Sequence, residues 1–516
     1  MIPSSHNLDW RGWRNVADAA AKLGRWGEAA AALERAAAMN PGEAAIARDL
    51  GAALSKMGRL DDALLALEKA LELDPGNFDD RLTYAEFLID AGRKRDAAVE
   101  IERASRLALT RMLDVDEQSA EGAAVGISPD RIAEVRDLGI LLDRQNQFHD
   151  LRELLAAAEK AGIAPEELGS LRASLALREG NPQEAKLLLL QDRARLAHWD
   201  RLRVRVADAL GDADEAFAAA DVMNRAVPEY DAWRRRTATY RANIRKTAAV
   251  VTPDWASRIH KLPSDDSIPD IAFVVGFPRS GTTLLDTFLM GHPRTHVIEE
   301  GRMLEFATGV ISGSPGLDWP PDLVARAQKA YLDDLRRNLP ADFKGLVIDK
   351  QPFNMLRLAV LHALFPNAKV IFAQRHPCDV VLSGYMQSFR LNPAMACFLD
   401  LADAADLYDA AMTMWTRSRD AVPQAIHTVV YERLVADPGA ELRPALEFLG
   451  LDWHEQVLDH QATAKRRGLI TSASFDQVTQ PLSRAPSGRW RRYEKQLEPV
   501  LPVLMPWAER LGYEER

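Results

Sequence analysis

An all-α solenoid followed by a three-layer α/β domain with a mostly parallel sheet is the architecture this 516-residue sequence predicts. Three observations carry it: a 34-residue period near the start, a break in that grammar around residues 250–270, and then short β-branched runs alternating with amphipathic segments. Hydrophobic residues at 47% and charged residues at 27% suit packed domains rather than disorder. With 65 Lys and Arg against 75 Asp and Glu, the net charge of −10 excludes a general nucleic-acid binder, which needs surplus cations. Cys378 and Cys397 are the only cysteines, too few for a disulfide framework or a cysteine zinc site. The first residues, MIPSSHNLDWRGW, hold no signal-like apolar stretch, and no run of about 18 apolar residues occurs. The expected location is therefore cytoplasmic, with no membrane span.

The repeats come first. Gly24, Gly58 and Gly92 are 34 residues apart, as are Ala29, Ala63 and Ala97, and Ala36, Ala70 and Ala104. Pro41 and Pro75 keep the same step. Glycine at a helix–helix turn, small alanines where helices approach and proline after the second helix resemble the tetratricopeptide repeat. Ala29 and Ala36, seven residues apart, share one helix face. Beyond residue 107 the pattern degenerates: Leu138-Gly139 echoes Leu50-Gly51, and GNPQEAKLLLLQ and GDADEAFAAA read as weaker copies. The expected solenoid spans residues 8–240, clearest over 16–110, and the resemblance implies a surface for a peptide or protein partner. A proline-punctuated linker is expected over 241–267 and the α/β domain over 268–516.

In that domain IAFVVG (271–276), GLVIDK (345–350), KVIFAQR (369–375) and HTVVYE (427–432) read as buried strands. The strongest local signal is FVVGFPRSGTTLLDTFL, a strand running through Gly276–Thr283 into a helix. Gly281 lets the backbone wrap closely, the first helix amides point into the loop, and Ser280, Thr282 and Thr283 add hydroxyls, which together make a phosphate cradle. It is P-loop-like, yet Thr282 stands where a nucleotide triphosphatase carries its lysine, and the cation comes earlier as Arg279. Such a loop suits one terminal anion better than a metal-bound triphosphate.

PRSGTT resembles the 5′-phosphosulfate loop of the sulfotransferases, and RHPCDVVLSGY extends the likeness. In that family the Arg and Ser corresponding to Arg375 and Ser383 bind the 3′-phosphate of the donor PAPS, 3′-phosphoadenosine-5′-phosphosulfate. Both residue types suit a phosphate. The remaining elements are similar to the tyrosylprotein sulfotransferase branch. VIEEGR puts Glu300 at its general-base position and Arg302 at a substrate-binding position. DKQPFN places Lys350 beside the transferring group, VVYERLVADP carries Tyr431 onto a nucleotide-binding tyrosine, and SFDQVTQP carries Ser474 onto a serine that contacts the phosphosulfate. The family's C-terminal Lys-Trp pair stands here as Arg489-Trp490, which keeps the cation. The resemblance thus implies a donor site of Arg279, Ser280, Gly281, Thr282, Thr283, Arg375, Ser383, Tyr431, Ser474, Arg489 and Trp490. Glu300, Arg279, Lys350 and Ser474 would be catalytic, the products a sulfate ester and adenosine 3′,5′-bisphosphate.

Those roles make chemical sense. Sulfuryl transfer, like phosphoryl transfer, is a loose in-line displacement governed by positioning and charge. The attacking hydroxyl gives up a proton, a task for a carboxylate such as Glu300. Cations and hydroxyls meet the charge that grows on the leaving group. No metal is expected, because a sulfuryl group carries less charge than a γ-phosphate. Glu299 is the alternative base if the register slips by one, and His292 and His296 are weaker candidates. Cys378 and Cys397 read as packing residues. AKRRG (464–468), with Lys465, Arg466 and Arg467, reads as solvated surface. Peptide tyrosine is the first acceptor reading; carbohydrate, lipid or small phenolic hydroxyls are alternatives, since a donor site does not fix an acceptor pocket. An inactive solenoid scaffold and a P-loop kinase are the readings from other classes.

Overall fold

The computed structural model describes residues 8–91, 93–119, 127–192, 199–262, 268–312, 319–340, 343–466, 482–483 and 486–513. The chain divides into two compact units that change over at residues 198/199. The first is all-helical: α1 (Trp10–Lys22), α2 (Trp26–Met39), α3 (Ala44–Lys56), α4 (Leu60–Leu73), α5 (Phe78–Asp90), α6 (Lys94–Ser119), α7 (Pro129–Arg144), α8 (Phe148–Lys160), α9 (Gly169–Arg178) and α10 (Pro182–Gln191). Gly24 and Gly58 end α1 and α3 with φ of 70° and 75°, a conformation only glycine adopts without strain. Ala29, Ala63 and Ala97 and their partners Ala36, Ala70 and Ala104 are all buried, as the period requires. A side chain added at Gly51 would press on Leu67, and one at Gly139 would lie 2.4 Å from Leu171 Cδ1, so the Leu-Gly echo marks two close helix contacts. Gly92 lies outside the described residues.

The second unit opens with four more helices, α11 (Trp199–Ala209), α12 (Ala213–Arg225), α13 (Tyr230–Val250) and α14 (Pro253–Arg258). The sequence puts the end of the solenoid at 240 and a linker over 241–267; the structure instead places Trp199 onward with the sheet and makes residues 230–250 one continuous helix. The physical reason is visible in the core, where Val204, Ala219, Ile244 and Trp255 join one hydrophobic cluster with Phe273, Val370 and Trp507. Arginines of α13 also pair with a later helix, Arg241 with Asp403 (2.8 Å) and Asp406 (2.7 Å) and Arg245 with Asp409 (3.1 Å).

The sheet has five parallel strands: β1 (Ile271–Gly276), β2 (Thr295–Glu299), β3 (Leu346–Lys350), β4 (Lys369–Gln374) and β5 (Ala425–Val430), in the order β2-β3-β1-β4-β5. Four match the expected strands, β5 shifted two residues earlier. β2 is absent from the sequence reading, because THVIE is short and only Ile298 in it is buried. The helices that matter for the site are α15 (Thr282–Met290), after β1, and α19 (Pro377–Tyr385), after β4; between them come α16 (Met303–Ser312), α17 (Pro321–Asn338) and α18 (Leu358–Leu364), and α20 (Leu401–Ala421) follows. β1 leads to a strand on one side of it and β4 to a strand on the other. The crevice at the carboxyl ends of β1 and β4 is therefore the topological switch point, where open α/β sheets bind ligands.

Candidate active site

The loop after β1 hugs the sheet. A Cβ on Gly276 would lie 2.7 Å from Ala373 O of β4, and one on Gly281 only 2.4 Å from Tyr431 Cδ2, so both glycines are required by close approach. Arg279 (φ 75°) and Gly281 (φ 92°) are left-handed, which folds the loop into a concave turn ahead of the α15 amides. Arg279 Nε donates to Ser383 Oγ of α19 (3.0 Å), joining the first loop to the second motif. Arg375, just after β4, is 4% exposed. Its Nη1 donates to Arg279 O (2.9 Å), its Nη2 to Pro486 O (2.6 Å), and its guanidinium lies 4.5 Å over the Tyr431 ring. Burial pushes the Tyr431 phenol up, so it stays a neutral stacking and donor group. Thus Arg279, Ser383, Arg375 and Tyr431, from four separate elements, converge at the switch point.

Thr282 and Thr283 are buried in the first turn of α15. Ser280 Oγ turns beneath the loop, 2.8 Å from where a Gly276 Cβ would lie. Among the described residues, neither Ser280 Oγ nor Arg375 Nε has a hydrogen-bond partner. A cavity of about 10 Å³ lined by Phe277, Ser280, Phe372, Arg375 and Tyr408 has room for no more than one water, too little for a phosphate. A buried arginine with an uncommitted Nε–H, a second cation and a turn of amides fit a bis-anionic ligand.

Next to this cradle, the carboxyl ends of β2 and β3 build a charged cluster. Lys350 is fully buried, with Nζ 3.2 Å from Asp286 Oδ2 of α15, 3.2 Å from Glu299 Oε1 and 3.2 Å from Glu300 Oε1. Three carboxylates around one ammonium offset its desolvation and fix its position. Glu300 has φ 53°, a strained conformation for a side-chain-bearing residue, and its amide donates to Lys350 O (2.7 Å). That turn leaves the Glu300 side chain 43% exposed, whereas that of Glu299 is 5% exposed.

Residues 269–455 match the family model of the sulfotransferase family, and residues 57–110 match that of the tetratricopeptide repeat. The chain carries a sulfotransferase-family domain. It is 30% identical over 327 residues to an uncharacterized protein of Aquifex aeolicus, covering 60% of this chain and 41% of that one. It is 27% identical over 262 residues to protein-tyrosine sulfotransferase 1 of Danio rerio, covering 47% of this chain and 72% of the relative. The chain thus spans less than half the length of the first of these relatives and most of the second. Among solved structures, the sulfotransferase domain from the curacin biosynthetic pathway overlaps 48% of this chain and 99% of its own at 21% identity, with a TM-score of 0.37.

The remaining expected residues have contacts of their own. Arg302 is exposed, paired with Glu305 (3.0 Å) and lying over Phe306. Arg489 is tied to Asp208 of α11 (3.1 Å) and to Met386 Sδ (3.6 Å), while Trp490 stacks on His376 at 5.0 Å. Ser474 and Arg467 lie outside the described residues. His292 is held by Asp452 O and the Arg294 amide, and His296 by Asn338 O, so neither joins the Lys350 cluster. Cys378 and Cys397 are buried, and burial pushes their thiols up to about 12 and about 11, which suits packing residues.

Three residues of the neighbourhood went unread in the sequence. Asp286 flanks Lys350 as above. Asp379, in the first turn of α19, accepts from Trp490 N (2.8 Å) at Oδ1 and Gly488 N (2.7 Å) at Oδ2, pinning the C-terminal segment. His376 caps α19, its Nδ1 accepting from Cys378 N, and burial together with the cations Arg491 and Arg375 holds it down to about 4, so the ring is neutral. The one available signal was an Asp within the otherwise apolar TTLLDTFLM, where a charge on a buried face needs a partner.

Proposed function

We propose that this protein is a PAPS-dependent sulfotransferase that moves a sulfuryl group to an acceptor hydroxyl, with peptide tyrosine as the acceptor. The convergence of Arg279, Ser383, Arg375 and Tyr431 at the switch point carries this reading, because two cations, a hydroxyl and a ring suit a nucleotide with phosphates at both ends. The donor brings an activated sulfuryl group; the chain holds, orients and neutralises it.

In this reading the left-handed loop of Arg279–Gly281 and the Thr282 and Thr283 amides hold the 5′-phosphosulfate, and Arg375 and Ser383 the 3′-phosphate. Lys350 sits where charge develops on the bridging oxygen. Glu300 takes the proton of the attacking hydroxyl as its oxygen bonds to sulfur and the sulfur–oxygen bond to the nucleotide breaks. The exposure of Glu300 against the burial of Glu299 supports Glu300 as the base, since a base must reach the acceptor. The likeness to relatives named protein-tyrosine sulfotransferase favours tyrosine, and the tetratricopeptide repeats favour a peptide or protein partner. No step needs a metal.

The test is calorimetric titration of the full chain with adenosine 3′,5′-bisphosphate in EDTA, for wild type and Arg375→Ala. Tight binding lost in the variant supports the donor site. A folded wild type that does not bind would sink the reading.

A further inference from the structure

Resting on the donor site proposed above, a second feature reaches beyond it. The C-terminal segment 486–493 lies between two parts of the second unit. On one side it meets Arg375 and the first turn of α19: Pro486 O accepts from Arg375, and the Gly488 and Trp490 amides donate to Asp379. On the other it meets a single carboxylate of α11. Asp208 Oδ1 accepts from Arg492 Nη2 (2.7 Å) and from Tyr493 OH (2.7 Å), and Asp208 Oδ2 accepts from Arg489 Nη1 (3.1 Å). Asp208 O takes a further bond from Arg492 Nη1 (3.4 Å). One half-buried side chain therefore gathers three donors from five consecutive residues, directly after the stretch that grips Arg375 and Asp379.

The same helix pair braces the second motif. Asn224 of α12 donates to Tyr385 O (2.9 Å), and Phe217 packs on the Tyr385 ring (4.9 Å), two residues after Ser383. Arg489 Nη2 meets Met386, three residues after Ser383 on the same helix end.

We propose that Asp208 is a positioning residue for the donor site: it anchors the 486–493 segment and aims Arg489, so that helices whose sequence reads as a degenerate repeat help set affinity for the donor nucleotide. Removing its charge frees the 489–493 end of the segment, and through it the hold of Pro486 on Arg375 and of the Gly488 and Trp490 amides on Asp379 loosens. Groups that touch a ligand stay in register when the residues behind them are themselves hydrogen-bonded in place.

The experiment uses the full chain and adenosine 3′,5′-bisphosphate as probe. Asp208→Asn is expected to weaken binding about tenfold, the size of one charge-assisted hydrogen bond. With PAPS the loss should appear in donor KM rather than kcat. Tyr493→Phe removes one bond to the same carboxylate and should weaken binding by roughly threefold. Gln496→Ala cuts a neighbouring contact of the helix pair, to Asp214 Oδ1 (2.6 Å), beyond the segment, and should change affinity less than about twofold. Equal affinity in wild type and Asp208→Asn, or a Gln496→Ala loss as large as that of Asp208→Asn, overturns the proposal. If Asp208→Asn does not fold, Tyr493→Phe decides, unchanged binding counting against. A wild type that does not bind at all fails the donor reading itself, which separates the two.

Discussion

The two sides of the crevice are built to opposite specifications. On the β1–β4 side Arg375 is 4% exposed, with backbone carbonyls on both terminal nitrogens and a ring beneath it. On the β2–β3 side Glu300 stands 43% exposed in a left-handed turn, and Arg302 faces solvent. A site that must bind one fixed nucleotide gains from preorganisation, whereas one that must admit a hydroxyl from a larger partner needs an open rim. In the proposed reading the closed side holds the donor and the open side admits the acceptor.

Lys350, at the seam, is where the comparison breaks most visibly. Lys350→Met leaves Asp286 and Glu299 buried without their counter-charge and should cost about 3–5 kcal/mol of stability, together with sulfuryl transfer. An unchanged Tm would mean that the three carboxylates are not held by this ammonium. On the closed side, Gly281→Ala puts a methyl at 2.4 Å from Tyr431 at φ 92°, and should cost roughly 1–3 kcal/mol with weaker nucleotide binding. Calorimetry and melting that match wild type would refute that packing. Asp379→Asn keeps the shape but weakens the hold on the Gly488 and Trp490 amides; a loss of about 1 kcal/mol in nucleotide affinity is expected, and none would make the segment's closure independent of α19.

A pH dependence is expected behind the seam. Asp349 is fully buried beside Tyr331, whose hydroxyl donates to it at 3.0 Å, and burial pushes its carboxyl up to about 7. The unfolded chain ionises this group near its ordinary value of 3.8, so stability falls as pH rises from 3.8 to about 7 and stays low above that. Asp349→Asn removes the penalty, so its Tm should exceed wild type at pH above about 7, with the gap closing toward pH 4. A constant gap would assign the effect to packing instead of ionisation.

What could be read from sequence follows the same division. PRSGTT and RHPCDVVLSGY are contiguous and carry their own strand–turn–helix context, so the parallel sheet and the loop after β1 were legible. β2 was not, because THVIE is short and half exposed, although Glu300 was singled out beside it. Asp208 and Asp379 look like ordinary helix carboxylates until the chain is folded; Asp208 meets its partners 281 or more residues away. The change-over at 198/199 was hidden for a related reason. GDADEAFAAA presents the same small-residue face whether its neighbour is another repeat or the flank of a sheet.

The most direct measurement is label transfer from sulfur-labelled PAPS to a panel of hydroxyl acceptors that includes tyrosine peptides, in EDTA, by wild type and Glu300→Gln. Transfer by wild type is expected, with a fall of about 10²–10⁴-fold in kcat for Glu300→Gln and affinity for adenosine 3′,5′-bisphosphate kept. A Glu300→Gln variant as fast as wild type, or a wild type that binds the nucleotide yet transfers to no hydroxyl, would contradict the proposed function.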